Sequence, residues 1–394
     1  MSSEPQRPFV HRYPPQHLIY GPGSAGALGG VLAGIGIQRG LLLCGANLNA
    51  APGVVSGLVA GAEGRIASVW AGVRPHAPFE TVDAAAEAYR ALGADGLISL
   101  GGGSAHDTMR AVSLLLQAGG TIADQFKDPT KAYARADPRP DVRRIPMAAI
   151  PTTLSAAETT FGGGVTHQGR KYVFVGDTLF IDRIVVDTDL FATTPREVLV
   201  DTGFNAINHA IERIVSPSHQ PIGDAAFLHA LRLLMPALQV IGSDAPLDEP
   251  VLTDAALGAH LSESTNVLGG IGHAIAHVLG GRYRVPHGTA HGLGMIPGLR
   301  LAGPRHPAGI VRIHDVLRDV GCLAAGDTAL DAVIASFQGF LARLGRPARL
   351  RDIGIAEADL AAIARDVMGD FSVASSGRAD LNETRVGELL REIW

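Results

Sequence analysis

The sequence predicts an α/β domain followed by an all-helical domain, and three observations carry this. The chain has 394 residues, enough for two or three domains at roughly 150 residues each. Its first half alternates short apolar strands with amphipathic stretches, the pattern of a parallel sheet covered on both faces. After Asp187 the strand pattern almost disappears and helical periodicity takes over. The composition supports a large folded core: 46% hydrophobic and 18% charged, with 49 Gly and 24 Pro. That excludes a disordered chain, a coiled coil and a collagen-like repeat.

In order along the chain, a helix is expected over 25–35 and strands over 40–44 and 65–70. A helix over 81–92 and strands over 96–100 and 147–150 follow. Residues 159–186 carry β-branched runs broken by Gly-rich turns, so they read as hairpin strands. Helical periodicity marks 195–215, 223–241, 251–280, 309–321 and 328–344. The domains are therefore 1–190 (α/β) and 191–394 (helical), and a cleft between them is the expected ligand site. There is no internal repeat and no low-complexity segment.

The formal net charge is −5, with no block of like charge, which argues against a nucleic-acid partner. Two cysteines, Cys44 and Cys322, cannot build a disulfide framework and point to a reducing compartment. The first 23 residues lack the apolar core of a signal peptide. No apolar run reaches the ~18 residues of a membrane span. A cytoplasmic protein with no membrane partner is the expectation.

Two strand ends carry candidate binding chemistry. LISLGGGSAHDTMR places three glycines and a serine between an apolar strand and a helix. Glycine lets backbone N–H groups approach a phosphate, and the helix N-terminus favours its charge. The spacing is neither GxGxxG nor a P-loop, so a tight turn that binds nothing is an equal alternative. IPTTLS closes a second apolar strand with hydroxyls suited to phosphate, to ribose or simply to capping. Two such ends in one sheet favour a nucleotide site at their shared carboxyl edge.

The helical half concentrates imidazoles. Asn205 and His209 are four apart, as are His273 and His277, so each pair shares a helix face. His287 and His291 follow in VPHGTAHGL. A helical His pair, a further helix's His and a His after a Pro turn suit convergence on one metal or one substrate. A lone His on an apolar helix is more often a satisfied core residue. Here several imidazoles lie in an apolar segment of small residues (269–281), and burying them without partners is costly.

At these residues the sequence resembles the iron-containing (group III) alcohol dehydrogenase family, and within it the maleylacetate reductase branch. The resemblance runs almost end to end. IYGPG is similar to the opening strand, GGGSAHD to the GGGSxxD pyrophosphate turn and PTTLSAAE to the PTT segment. GVRPHAP, with His76, is similar to the reductase branch. NAINHAIE and HAIAHVLGGRYRVPHGTAH match the two helical signatures. The resemblance implies a Rossmann-like N-terminal domain and an all-α C-terminal domain, the fold shared with dehydroquinate synthase. It implies NAD(H) or NADP(H), a small oxo-acid, aldehyde or alcohol as substrate, and a homodimer. The cofactor side would be Gly45, Gly102, Gly103, Ser104, Asp107, Thr152, Thr153, Ser155 and Lys171.

The resemblance also implies roles in the helical half. His277 would donate or relay a proton, with His209, His273 and His287 around the substrate oxygen. His76, His291 or Arg284 would pair a substrate carboxylate. Metal-dependent members bind Fe²⁺ or Zn²⁺ through one Asp and three His, and the matching positions are Asn205, His209, His273 and His287. Asn205 replaces the Asp, and an amide is a weaker ligand than a carboxylate. The reductase branch shares this Asn and resembles enzymes that work without a metal; Asp201, one turn earlier, is a conceivable substitute. Gly272 stands where reductases often have a further His, and Asp107 is the wider family's residue. Gly45 stands where NAD-preferring relatives often carry an Asp, which permits NADPH. Three alternatives to a metal-free reductase stay open: a metal-dependent alcohol dehydrogenase or aldehyde reductase, a lyase or synthase on the same fold, and a non-catalytic cofactor-binding protein.

Overall fold

The computed structural model describes residues 8–11, 15–126, 133–135, 143–265, 269–375 and 381–394. It contains two compact units, 15–194 and 195–394, the second joined by residues 8–11. His11 belongs to the helical unit through its Nδ1, 3.1 Å from Gln220 Oε1.

The first unit holds nine strands among its described residues: β1 (His17–Tyr20), β2 (Gly40–Gly45), β3 (Ile66–Val73), β4 (Gly96–Gly101), β5 (Tyr133–Arg135), β6 (Met147–Pro151), β7 (Gly162–His167), β8 (Arg170–Val175) and β9 (Arg183–Val186). Six form one parallel sheet in the order β1-β9-β6-β4-β2-β3. Its central strands are largely apolar because helices cover both faces. Leu42, Ile98, Ala148, Ile150 and Val185 are buried in one cluster, each large side chain contributing about 1.5–3 kcal/mol.

Strand order places a switch point in this sheet. From β2 the chain moves to β3 at one edge, then crosses to β4 on the other side of β2. Ligands of open α/β sheets bind outside the strand ends where that order reverses. Here those ends are Gly45 and Gly101.

The stretch 159–186 divides. β7 and β8 form an antiparallel hairpin in a separate three-stranded sheet with β5, whereas β9 joins the main parallel sheet between β1 and β6. A Gly-rich turn in sequence marks a hairpin but does not tell which sheet the next apolar run completes.

The second unit is helical throughout its described residues. Its main helices are Arg196–Ile214, Pro221–Ile241, Glu249–Ser262, Ile271–Tyr283, His287–Ala302, Pro307–Asp319 and Ala329–Arg343. Caps fix several starts: Asp248 accepts from Val251 N–H and Thr328 from Asp331 N–H. The expected single helix over 251–280 is two helices, the second opening after the glycines 269–270. The sequence reading also missed that His287 begins a helix, behind Pro286. Pro221–Ile241 is long and apolar enough to cross a membrane by length and composition. Its Phe227, Leu231, Leu234 and Leu238 are fully buried, the pattern of a core helix.

Candidate functional site

In the sheet unit the two expected strand ends are neighbours. β4 and β6 pair in register up to Gly101 opposite Pro151, and Thr152 N–H donates to Gly101 O at 3.0 Å. Gly102 precedes the helix Gly103–Ala118, whose first turn no side chain caps. Its N–H groups are the kind of donors that suit a phosphate. The turn is built against the PTT segment: a Cβ at Gly102 would lie 2.7 Å from Thr153 Oγ1 and 2.9 Å from its Cγ2. Thr153 donates to Ser155 Oγ at 3.3 Å, so the two hydroxyls line the same turn. This cradle fits a nucleotide pyrophosphate, and Gly45 ends β2 at the same switch point.

His76 joins this edge. Its N–H donates to Ser104 Oγ at 2.9 Å and its C=O accepts from Thr166 Oγ1 at 3.0 Å. His76 and Ala77 both hold a left-handed backbone, φ 62° and 45°, a strain that these bonds sustain. Asp107 Oδ2 accepts from Gly164 N–H at 3.1 Å and so ties the hairpin to the glycine-turn helix. Lys171 crosses the face of Gly164. Partial desolvation, then the Lys171 ammonium, lowers the His76 pKa, which disfavours the imidazolium proposed to pair a carboxylate.

In the helical unit all five signature imidazoles meet. Ring centroids lie 4.9 Å apart for His209–His273, 4.6 Å for His273–His291, 4.4 Å for His287–His291 and 6.2 Å for both His273–His277 and His277–His287. Small residues allow this. A Cβ on Gly272 would lie 2.9 Å from Gly294 O and 2.7 Å from Glu212 Oε1, so the helices Ile271–Tyr283 and His287–Ala302 cross there. The further His that reductases often carry at this position has no room.

Three carboxylates lie against Nδ1 of three of the rings, two of them in hydrogen bonds. Glu263 Oε2 is 2.7 Å from His209, Asp370 Oδ2 is 3.0 Å from His277, and Glu212 Oε2 bonds His273. Such a partner fixes the tautomer and aims Nε2 at whatever the ring serves. Burial opposes ionisation of Glu263, but Arg213 (2.5 Å away) and His209 outweigh it and bring its pKa down to about 2. Glu212 and Asp370 are lowered in the same way, chiefly by His273 and His277 against burial. His209 is neutral: burial outweighs Glu263 and takes it down to about 4.

Sequence reasoning missed these carboxylates. Glu212 stands within NAINHAIE and Glu263 just beyond the helix Glu249–Ser262, but neither segment's periodicity says which face meets a histidine. Asp370 is 93 residues from His277 and has no local signal at all.

His291 does not fit its expected role. It is fully buried, and desolvation followed by its histidine neighbours holds it well below the ordinary imidazole range. A buried neutral ring cannot pair a substrate carboxylate. Arg284 remains exposed at the end of its helix.

The donor set does not fit a divalent cation. Asn205 is neutral and buried. Asp201 is no substitute, because Arg346 Nε lies 2.9 Å from its Oδ1 and Thr289 donates to the same oxygen at 3.4 Å. His287 Nε2 lies 3.0 Å from His291 Nε2, so its ligating nitrogen is engaged in a hydrogen bond. Among the described residues no group of three or more His, Cys, Asp or Glu is arranged to hold an ion.

Comparison with known proteins gives a consistent result. Residues 15–188 match the family described as iron-containing alcohol dehydrogenase, and residues 199–394 match the C-terminal domain of the Fe-containing alcohol dehydrogenase family. A maleylacetate reductase of Rhizobium sp. (strain MTP-10005) is 28% identical over 362 residues, 91% of this chain and 90% of the relative. A lactaldehyde reductase of Escherichia coli (strain K12) is 28% identical over 391 residues, 95% of this chain and 97% of the relative. The crystal structure of a 1,3-propanediol oxidoreductase superposes with a TM-score of 0.86 at 25% identity, over 98% of this chain and 100% of that one. A maleylacetate reductase from Agrobacterium tumefaciens superposes at 0.77 with 24% identity, over 99% of both.

Proposed function

The chain belongs to the iron-containing alcohol dehydrogenase family and is an NAD(P)H-dependent oxidoreductase; from that premise we propose that it reduces a small oxo-acid, as a maleylacetate reductase does, without a metal. The observation that carries this reading is the pairing of a neutral Asn205 with a committed His287 Nε2, in a cluster where carboxylates lie against three further imidazoles. The nicotinamide, when bound, supplies the hydride, two electrons delivered to the carbonyl carbon or to one carbon of a C=C.

The residues of the chain do the remaining work. Gly102, Gly103 and Ser104 offer backbone donors to the pyrophosphate, with Thr152, Thr153 and Ser155 beside them. His277, as the imidazolium with Nδ1 held by Asp370, delivers from Nε2 the proton that turns the reduced carbonyl oxygen into a hydroxyl, or that completes the second carbon of a C=C, and is left as the neutral ring. His273, held at Nδ1 by Glu212, donates from Nε2, as the imidazolium, to the oxygen as charge develops there. His209 is neutral and offers polarity without charge. Of the three side chains expected to pair a substrate carboxylate, the exposed Arg284 fits best. The absence of a carboxylate at Gly45 favours acceptance of NADPH alongside NADH. The working form is a cytoplasmic homodimer.

The test is an assay at 340 nm with NADH and NADPH in parallel, setting maleylacetate and related oxo-acids against simple aldehydes, each with and without EDTA. Turnover of an oxo-acid that EDTA leaves unchanged supports the reading. A preference for aldehydes with chelator-sensitive turnover replaces it with the metal-dependent alternative.

A further inference from the structure

His287 and His291 share one hydrogen bond between their Nε2 atoms, 3.0 Å apart, and geometry alone does not say which ring donates. The next residue along decides it. Asn208 Nδ2 lies 2.8 Å from His291 Nδ1 and donates to Glu212 Oε2 at 3.5 Å. Glu212 is a fixed point. Its Oε1 accepts from Gly272 N–H at 2.7 Å and its Oε2 bonds His273 Nδ1. An ionised carboxylate only accepts hydrogen bonds, so the Asn208 amide turns its NH₂ toward Glu212. The opposite orientation would set one oxygen against another.

The consequences follow in order. An amide NH₂ only donates, so His291 Nδ1 is an acceptor. A neutral imidazole then carries its proton on Nε2, and His291 donates it to His287. His287 Nε2 is therefore the acceptor, and its own proton sits on Nδ1. We propose that Asn208 is a positioning residue that, anchored by Glu212 and acting through His291, fixes His287 with Nε2 as a hydrogen-bond acceptor. His287 Nε2 thereby carries no proton to donate, and its lone pair is occupied by the His291 N–H. This rests on the reductase reading only for its catalytic meaning; the proton positions stand independently of it.

The experiment is a two-bond ¹H–¹⁵N correlation spectrum of the full-length protein carrying ¹⁵N-histidine, near neutral pH, with His287 and His291 assigned through His287→Gln and His291→Gln. The expected spectrum shows His291 protonated on Nε2 and His287 on Nδ1. Asn208→Leu, which keeps the volume and removes the donor, is expected to move His287 to a mixture of tautomers. A wild-type His287 protonated on Nε2 overturns the proposal, as does a His287 signal unchanged by Asn208→Leu. The wild-type spectrum decides even if that variant fails to fold. Absence of turnover alongside the expected spectrum would sink the reductase reading and leave this one intact.

Discussion

Asp370 Oδ2 accepts a hydrogen bond from Nδ1 of His277 across 3.0 Å, bringing a carboxylate 93 residues away onto the ring proposed to deliver the proton. The pair resembles the acid–imidazole arrangement that steadies an imidazolium as it forms. His277→Ala is expected to lower kcat about 10²–10⁴-fold, the range of general acid catalysis. Nucleotide affinity, measured by fluorescence titration, should stay unchanged. Asp370→Asn should lower kcat by a smaller factor, because an amide can still bond the ring but no longer stabilises its charge. An undiminished rate in His277→Ala removes the assignment.

Glu263 sits between Arg213 at 2.5 Å and His209 at 2.7 Å, with all three side chains largely buried. Removing one partner of a buried charge pair leaves the other uncompensated, at about 3–5 kcal/mol. Glu263→Gln should therefore lose stability in urea unfolding on that scale. A loss below about 1 kcal/mol would place the pair in the range of a solvent-exposed bridge.

The legible part of this protein was what local pattern encodes. Apolar runs marked the strand ends at 100 and 150, one residue short of Gly101 and Pro151, and i,i+4 spacing paired His273 with His277. The illegible part was what tertiary folding brings in from afar. The sequence could not rank Asp370, Glu212 and Glu263 above the chain's other acidic residues, because only the packing of helices distant in sequence decides which carboxylate meets which ring. It likewise left His291 as a candidate cation, since burial, which keeps it neutral, has no local signature in VPHGTAHGL.

Gly102 tests the nucleotide assignment. A methyl group there meets Thr153 Oγ1 at 2.7 Å and Cγ2 at 2.9 Å, and a β-branched side chain has few rotamers in which to yield. Its φ of −95° is ordinary for alanine, so the backbone need not strain. Gly102→Ala is expected to weaken NAD(P)H binding about tenfold, roughly 1.4 kcal/mol, and to lower Tm modestly as Thr153 shifts. Unchanged affinity would move the pyrophosphate away from this turn.

Two features stand between this chain and a metal site, the amide of Asn205 and the engaged Nε2 of His287. Metal analysis after expression with iron or zinc should give well under one ion per chain. Asn205→Asp restores a carboxylate but not the nitrogen, so it alone should leave Co²⁺ binding weak in calorimetric titration. The double variant Asn205→Asp with His291→Phe frees both and should bind more tightly. Stoichiometric metal in the unmodified protein would refute this account.

Acid should unfold this protein earlier than its carboxylates alone would dictate. Burial takes His106 down to about 3 and His209 and His260 to about 4, from 6.5 in the unfolded chain. Between pH 6.5 and those values the unfolded state binds more protons than the folded one, so stability falls as pH falls. Each such histidine removes up to about 1.4 kcal/mol per pH unit across that window. Glu263, lowered to about 2, adds a further loss below its unfolded value near 4.5. Tm should therefore be level between about pH 7 and 8 and decline steadily from about 6.5 towards 4. His260→Gln, which replaces a partly buried ring outside the proposed site, should flatten that decline. A Tm that stays constant down to pH 5 would mean that these imidazoles are already protonated, or solvated, in the folded protein.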